Sequence, residues 1–168
     1  MTIIPTPSPN FDERDIAPDL IVLHYTGMID GGSALMRLTD PAPVLARYRG
    51  TSPRLPEWPP ETPLGRVSAH YLVEADGRIF ALVDETKRAW HAGVSHWAGA
   101  DDINARSIGI EIVNGGHDHG LPPFPDVQIE AVTELVGAIR TRWGIPPHRV
   151  VGHSDIAPGR KSYPGERF

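Results

Sequence analysis

Four residues in this 168-residue chain stand where hydrolytic chemistry can be built: His24, Glu111, His153 and Lys161. His24 follows a short apolar run, Leu20-Ile21-Val22-Leu23, and His153 opens a polar loop punctuated by Pro158-Gly159 and Pro164-Gly165. Loops of this kind hold polar side chains in fixed directions at a surface. Two histidines so placed are candidate metal ligands, since a hydrolytic zinc site takes three protein ligands and keeps one position for water. Such a metal lowers the pKa of its water to about 7 and makes hydroxide available at neutral pH. Glu111 lies mid-strand in an apolar context, where a carboxylate calls for a partner or a task. Acting as general base toward water is such a task, and Lys161 can stabilise the oxyanion formed when water attacks a carbonyl. On spacing alone each also has an ordinary reading: a hydrogen-bonded histidine after a strand, a glutamate paired with an arginine, a solvated lysine.

Composition narrows the field. The length suits one domain with a sizeable core, and 40% hydrophobic with 22% charged residues is the profile of a globular protein. A net charge of −5 implies no basic face for nucleic acid. With no cysteine, a metal would have nitrogen and oxygen ligands only. No run approaches the ~18 apolar residues of a membrane helix, and the N-terminus lacks a cationic start and an apolar stretch of signal-peptide length. The expectation is a cytoplasmic monomer, with signal-independent export left open.

The elements that must position these residues can be placed along the chain. Residues 1–19 are Pro-rich and polar and are expected to wrap the surface as an extended arm, leaving 20–168 as the folded domain. Leu20 to Leu23 read as a fully buried strand, and Ser33 to Leu38 as a short helix with Ser33 as N-cap, ended by Asp40-Pro41. Residues 41–66 carry Pro53, Pro56, Pro59, Pro60 and Pro63 around Trp58, so no long helix or central strand fits. This loop, with Arg54 and Glu57, either walls a groove or is a tolerated insertion. Ser68 to Val73 and Arg78 to Val83 flank Ala75-Asp76-Gly77 as a hairpin. Ser107 to Asn114 read as a strand whose alternation sends Ile108, Ile110 and Ile112 to one face and Ser107, Gly109, Glu111 and Val113 to the other. Between Asp126 and Trp143, apolar residues at spacings of three and four predict the one long helix, stopped by Gly144. Together these predict an α/β fold, a single domain with a central mixed β-sheet flanked by helices.

The ordered segments Ile21-Val22-Leu23-His24-Tyr25-Thr26, Ser68-Ala69-His70-Tyr71-Leu72-Val73, Asp76-Gly77-Arg78-Ile79, Ala89-Trp90-His91-Ala92-Gly93, Ser107-Ile108-Gly109-Ile110-Glu111 and Gly152 to Lys161 resemble zinc-dependent N-acetylmuramoyl-L-alanine amidases of the type 2 family. That family is related in fold to peptidoglycan recognition proteins. The resemblance implies Zn²⁺ as cofactor and peptidoglycan or a muropeptide as substrate, cut at the amide between the lactyl group of N-acetylmuramic acid and L-alanine. It makes His24 and His153 zinc ligands, Glu111 the general base and Lys161 the transition-state-stabilising lysine. His91 resembles a groove residue, and Asn114, at the end of the Glu111 strand, is taken with it as substrate-binding. His70 is expected to be structural and Asp155 to support the ligand loop.

Two departures accompany the resemblance. Where the family's third ligand is an aspartate two residues after the lysine, this chain has Tyr163. A phenol with an ordinary pKa of about 10 ligates only if the metal drives its proton off. The tyrosine therefore also leaves room for a peptidoglycan-binding protein with weak or no catalysis. The Pro-rich insertion at about 43–65 is the second departure and is expected to reshape one wall of the groove.

Overall fold

The strand that delivers His24 lies inside a six-stranded sheet and is buried along its whole length, Leu20–Tyr25. The computed structural model describes residues 2–51 and 58–160. In chain order its strands are β1 (Ile3–Pro5), β2 (Phe11–Glu13), β3 (Leu20–Tyr25), β4 (Tyr71–Val73), β5 (Ile79–Ala81), β6 (Lys87–Ala89), β7 (His96–Trp97), β8 (Ala100–Asp101), β9 (Ser107–Ile112) and β10 (Val150–Gly152). Its helices are α1 (Gly31–Thr39), α2 (Leu45–Tyr48), α3 (Asp126–Trp143) and the single turn α4 (His153–Ile156). The main sheet runs β1-β5-β4-β9-β3-β10, parallel throughout except for the β4–β5 hairpin. It is the mixed α/β sheet with flanking helices that the sequence predicts.

Side-chain alternation splits this sheet into two environments. Ile21, Leu23, Ile108, Ile110 and Ile112 pack with Val132, Leu135 and Ile139 of α3 in one core. On the opposite face, Met28, Ala34, Leu38, Leu72, Phe80 and Val113 form a core with α1, and Leu20, Val22, Ala92, Ile103 and Ile156 form another. His24 and Glu111 belong to this second face by parity.

Two polar anchors hold α3 in place. Near its start, Gln128 Nε2 donates to the carbonyls of Val73 and Val113, tying the helix to the ends of two strands. Near its end, Glu85 accepts from Tyr71 Oη at 2.7 Å, from Arg142 at 2.6 and 2.8 Å, and from Trp143 Nε1 at 2.5 Å. A carboxylate that is 9% exposed is tolerated because three donors replace its water. Gly144 closes the helix at φ 69°, a left-handed turn where a Cβ would be strained.

Several expectations are revised. The first residues are extended, but β1 joins the main sheet beside β5 and β2 pairs with β6. The buried Asn10 bridges Asp40 and Val67, so the segment is part of the domain's framework. The N-cap of α1 is Asp30, whose Oδ1 accepts from Ser33 N–H at 2.7 Å. A carboxylate at that position meets an orphan donor of the first turn, and Ser33 supplies that donor. Within the Pro-rich segment, α2 forms, and Leu45 N–H, Ala46 N–H and Leu64 N–H bond to Thr62, Pro60 and Pro43 carbonyls. Arg54 and Glu57 lie outside the described residues; Trp58 is exposed.

Ile110 is fully buried between the sheet and α3. Ile110→Ala is expected to lower folding stability by about 2–5 kcal/mol. An unchanged denaturation midpoint would contradict its place in the core.

Candidate active site

Three strands bring the distant residues together. His24 and Glu111 are register partners on the neighbouring strands β3 and β9, so their side chains leave the same face side by side. Gly152 pairs with Leu23 on the other side of β3, which places His153 next to His24. The junction is held by Asp155, whose Oδ2 accepts from Gly152 N–H at 2.7 Å. Asp155 thus caps the turn that presents His153.

The imidazoles of His24 and His153 meet nearly at right angles, with Nδ1 to Nδ1 at 2.8 Å. Their outer nitrogens are occupied. His153 Nε2 lies 3.0 Å from the Ala92 carbonyl and 3.5 Å from an Arg160 N–H, so an acceptor and a donor both meet it. His24 Nε2 lies 3.0 Å from His91 Nδ1, and His91 Nε2 lies 3.3 Å from Ser107 Oγ. Ser107 spends its one hydrogen on the Ile103 carbonyl at 2.6 Å. Its oxygen therefore accepts from His91 Nε2–H, His91 Nδ1 accepts from His24 Nε2–H, and His24 Nδ1 is the acceptor toward His153 Nδ1.

At 2.8 Å the two Nδ1 atoms are in hydrogen-bond contact, and both are of a ligand type that divalent metals take. That donor arrangement fits a divalent metal. Among the described residues, no group of three His, Cys, Asp or Glu side chains is placed to hold one. Tyr163, the expected third ligand, and Lys161 lie outside the described residues.

The surrounding shell is built from backbone. Asn104 Oδ1 accepts from His91 N–H at 3.0 Å and Ala92 N–H at 2.8 Å. Arg160 donates to the carbonyls of Ala92 at 2.8 Å and Val94 at 2.6 Å. Sequence reasoning missed Asn104 and Ser107 as site residues. Ser107 shares the face of Glu111, and that alternation is the one signal that pointed to it. A cleft of about 300 Å³ opens here, walled by Arg66, Trp90, His91, Glu111, His153 and Arg160, with the Arg66 guanidinium 4.9 Å over the Trp90 ring.

Two expectations for substrate contact meet different geometry. Asn114 is 6% exposed; its Nδ2 donates to the Pro122 carbonyl and its Oδ1 accepts from Gly116 N–H. Those bonds commit it to bracing its own loop. His91 walls the cleft, yet both of its ring nitrogens face protein partners. His70 is structural: Nδ1 accepts from Gly109 N–H and Nε2 donates to the Lys87 carbonyl. Burial depresses the His70 pKa from the ordinary 6.5 to about 3. Burial, then the neighbouring His70 and His153, also holds His91 well below its ordinary value.

A family profile described as N-acetylmuramoyl-L-alanine amidase, Amidase_2, matches residues 14–166. The chain is 38% identical over 161 residues to the N-acetylmuramoyl-L-alanine amidase AmiD of Escherichia coli K12, covering 89% of this chain and 49% of that protein. It thus spans about half the length of AmiD. It is 36% identical over 168 residues to the 1,6-anhydro-N-acetylmuramyl-L-alanine amidase AmpD of Haemophilus influenzae, covering 96% and 84%. Among solved structures, a selenomethionine AmpD derivative superposes with a TM-score of 0.81 at 32% identity, over 99% of this chain and 89% of that one. The E. coli AmiD complex with anhydro-N-acetylmuramic acid-L-Ala-D-γ-Glu-L-Lys gives 0.72 at 37% identity, over 90% and 54%.

His70 is expected to stay neutral at pH 5 and His91 to titrate below the ordinary histidine range, read from ¹⁵N shifts of the ring nitrogens. The unfolded chain takes up these protons below about 6.5, the ordinary histidine pKa, while the folded His70 resists them down to about 3. The stability they contribute is therefore full above pH 6.5 and drains as pH falls through that window. A midpoint near 6.5 for either ring would refute the burial argument.

Proposed function

Because the chain belongs to the Amidase_2 family of N-acetylmuramoyl-L-alanine amidases, we propose that it hydrolyses the amide between the lactyl group of N-acetylmuramic acid and L-alanine of a muropeptide. The observation that carries this reading is the opposed pair of His24 and His153 Nδ1 atoms with Glu111 in register beside His24. His24 and His153, with Tyr163 as the third donor, would hold zinc. When bound, zinc supplies a water of lowered pKa and a positive charge for the amide carbonyl.

The chain's own groups do the rest. Glu111 takes a proton from the attacking water and returns it to the leaving L-alanine nitrogen, which departs as a neutral amine. Lys161 would stabilise the negative charge that grows on the carbonyl oxygen. Arg66, stacked on Trp90 at the cleft wall, draws in a stem peptide rich in carboxylates despite the net charge of −5. The substrate class is that of the AmiD complex, an anhydro-muropeptide with a γ-linked glutamate.

Incubating the zinc-loaded protein with anhydro-N-acetylmuramyl-tripeptide is expected to release the free tripeptide, and a chelator is expected to abolish the release. Absence of both turnover and stoichiometric zinc would sink the proposal. Glu111→Gln is expected to cut kcat by roughly 10²–10⁴-fold with zinc content unchanged. Tyr163→Asp is expected to raise zinc affinity and activity together, because a carboxylate is already ionised at neutral pH and a phenol is not. If Tyr163→Asp alters neither, Tyr163 is not a ligand.

A further inference from the structure

We propose that His91, held by Ser107 and given room by Gly109, is a positioning residue that presents His24 Nδ1 to the metal; this rests on the zinc-hydrolase reading above. An imidazole can offer its lone pair from either nitrogen, and a ligating histidine is useful only when the correct one is free. A partner on the other nitrogen makes that choice. For His153 the partners on Nε2 are the Ala92 carbonyl and an Arg160 N–H. For His24 the partner is another histidine, which can donate or accept at Nδ1, so the choice passes on to whatever holds His91.

Ser107 completes the decision. Its hydroxyl hydrogen goes to the Ile103 carbonyl, so toward His91 Nε2 it can only accept. The direction of every hydrogen bond in the series is then set by one backbone carbonyl. The series runs from Ile103 O through Ser107 and His91 to His24, entirely among residues no more than 8% exposed. No water competes for the links.

The placement of His91 depends on a missing side chain. A Cβ on Gly109 would come within 2.4 Å of His91 Cγ and Cδ2 and 2.6 Å of its Nδ1. Gly109 is not at positive φ, so its glycine is explained by this close approach and not by backbone conformation. The ring lies over the strand at Gly109 and crosses that of His24 at 78° with centroids 5.0 Å apart.

The test measures zinc affinity by competition with a chromophoric chelator, independent of turnover. His91→Phe keeps a ring but removes the acceptor and should weaken zinc binding by roughly 10–100-fold. It should also abolish the exchange-protected His24 Nε2–H signal in the NMR spectrum of the zinc-loaded protein. His91→Asn, whose amide oxygen can occupy the place of Nδ1, should recover most of that affinity and the signal. Ser107→Ala, a small change that leaves the ring in place, should lower affinity in the same direction by less. An affinity for His91→Phe equal to wild type, or an Asn variant no better than Phe, overturns the proposal. Should His91→Phe fail to fold, Ser107→Ala decides alone, and unchanged affinity there refutes the series. A wild-type protein that binds no zinc would instead refute the zinc-hydrolase reading itself.

Discussion

One backbone carbonyl, that of Ile103, decides where the protons sit beside His24. It accepts and cannot donate, so Ser107 Oγ must donate to it. From that fixed point the hydrogen bonds run one way through Ser107 and His91, and they leave His24 Nδ1 as the acceptor toward His153. Side chains rotate and imidazoles change tautomer, but a carbonyl anchored in the fold does neither. Ala92 is anchored on its N–H side by Asn104 and its carbonyl is shared with Arg160. The chemistry of the histidines is thus delegated to the backbone around them.

The sheet explains how residues so far apart in sequence meet. His24 and His153 are separated by 129 positions, because parallel neighbours require crossover connections rather than tight turns. In return, a parallel register gives accurate side-by-side placement: Glu111 on one neighbour of β3 and His153 just beyond the end of the other. The long helix α3 covers the opposite face, so a polar site on one side does not interrupt the apolar core on the other. Gln128 and Glu85 fasten that helix at both ends, while the β3–β9 ladder itself keeps Glu111 level with His24.

What could be read from the sequence was what repeats at short range. The apolar run before His24, the period of α3 and the alternation along β9 each reflect burial of one face, and each placed its element correctly. The alternation even put Ser107, Gly109 and Glu111 on a common face. What could not be read were bonds between side chains and distant backbone. Asn104 serves peptide groups at positions 91 and 92, and Asn114 serves its own loop; nothing in an asparagine's neighbours distinguishes these duties from substrate contact. The cap of α1 was misplaced by three residues because Asp30 and Ser33 are both good capping types, and only geometry shows which accepts and which donates. β1 was missed because Ile3–Pro5 is too short and Pro-rich to signal a strand, and it forms by adding to an edge already present.

Burial of the histidines has a further consequence for the balance of charge. His24, His70, His91 and His153 form a contiguous group of rings, all of them buried. His70 and His91 are held neutral by desolvation. A buried ring can take up a proton only by placing a charge in surroundings where water screens poorly. Acid therefore favours the unfolded chain, in which the same two histidines are free to charge. The hydrogen bonds that orient His91 hold while the ring stays neutral, and through them the fold fixes His24 as well.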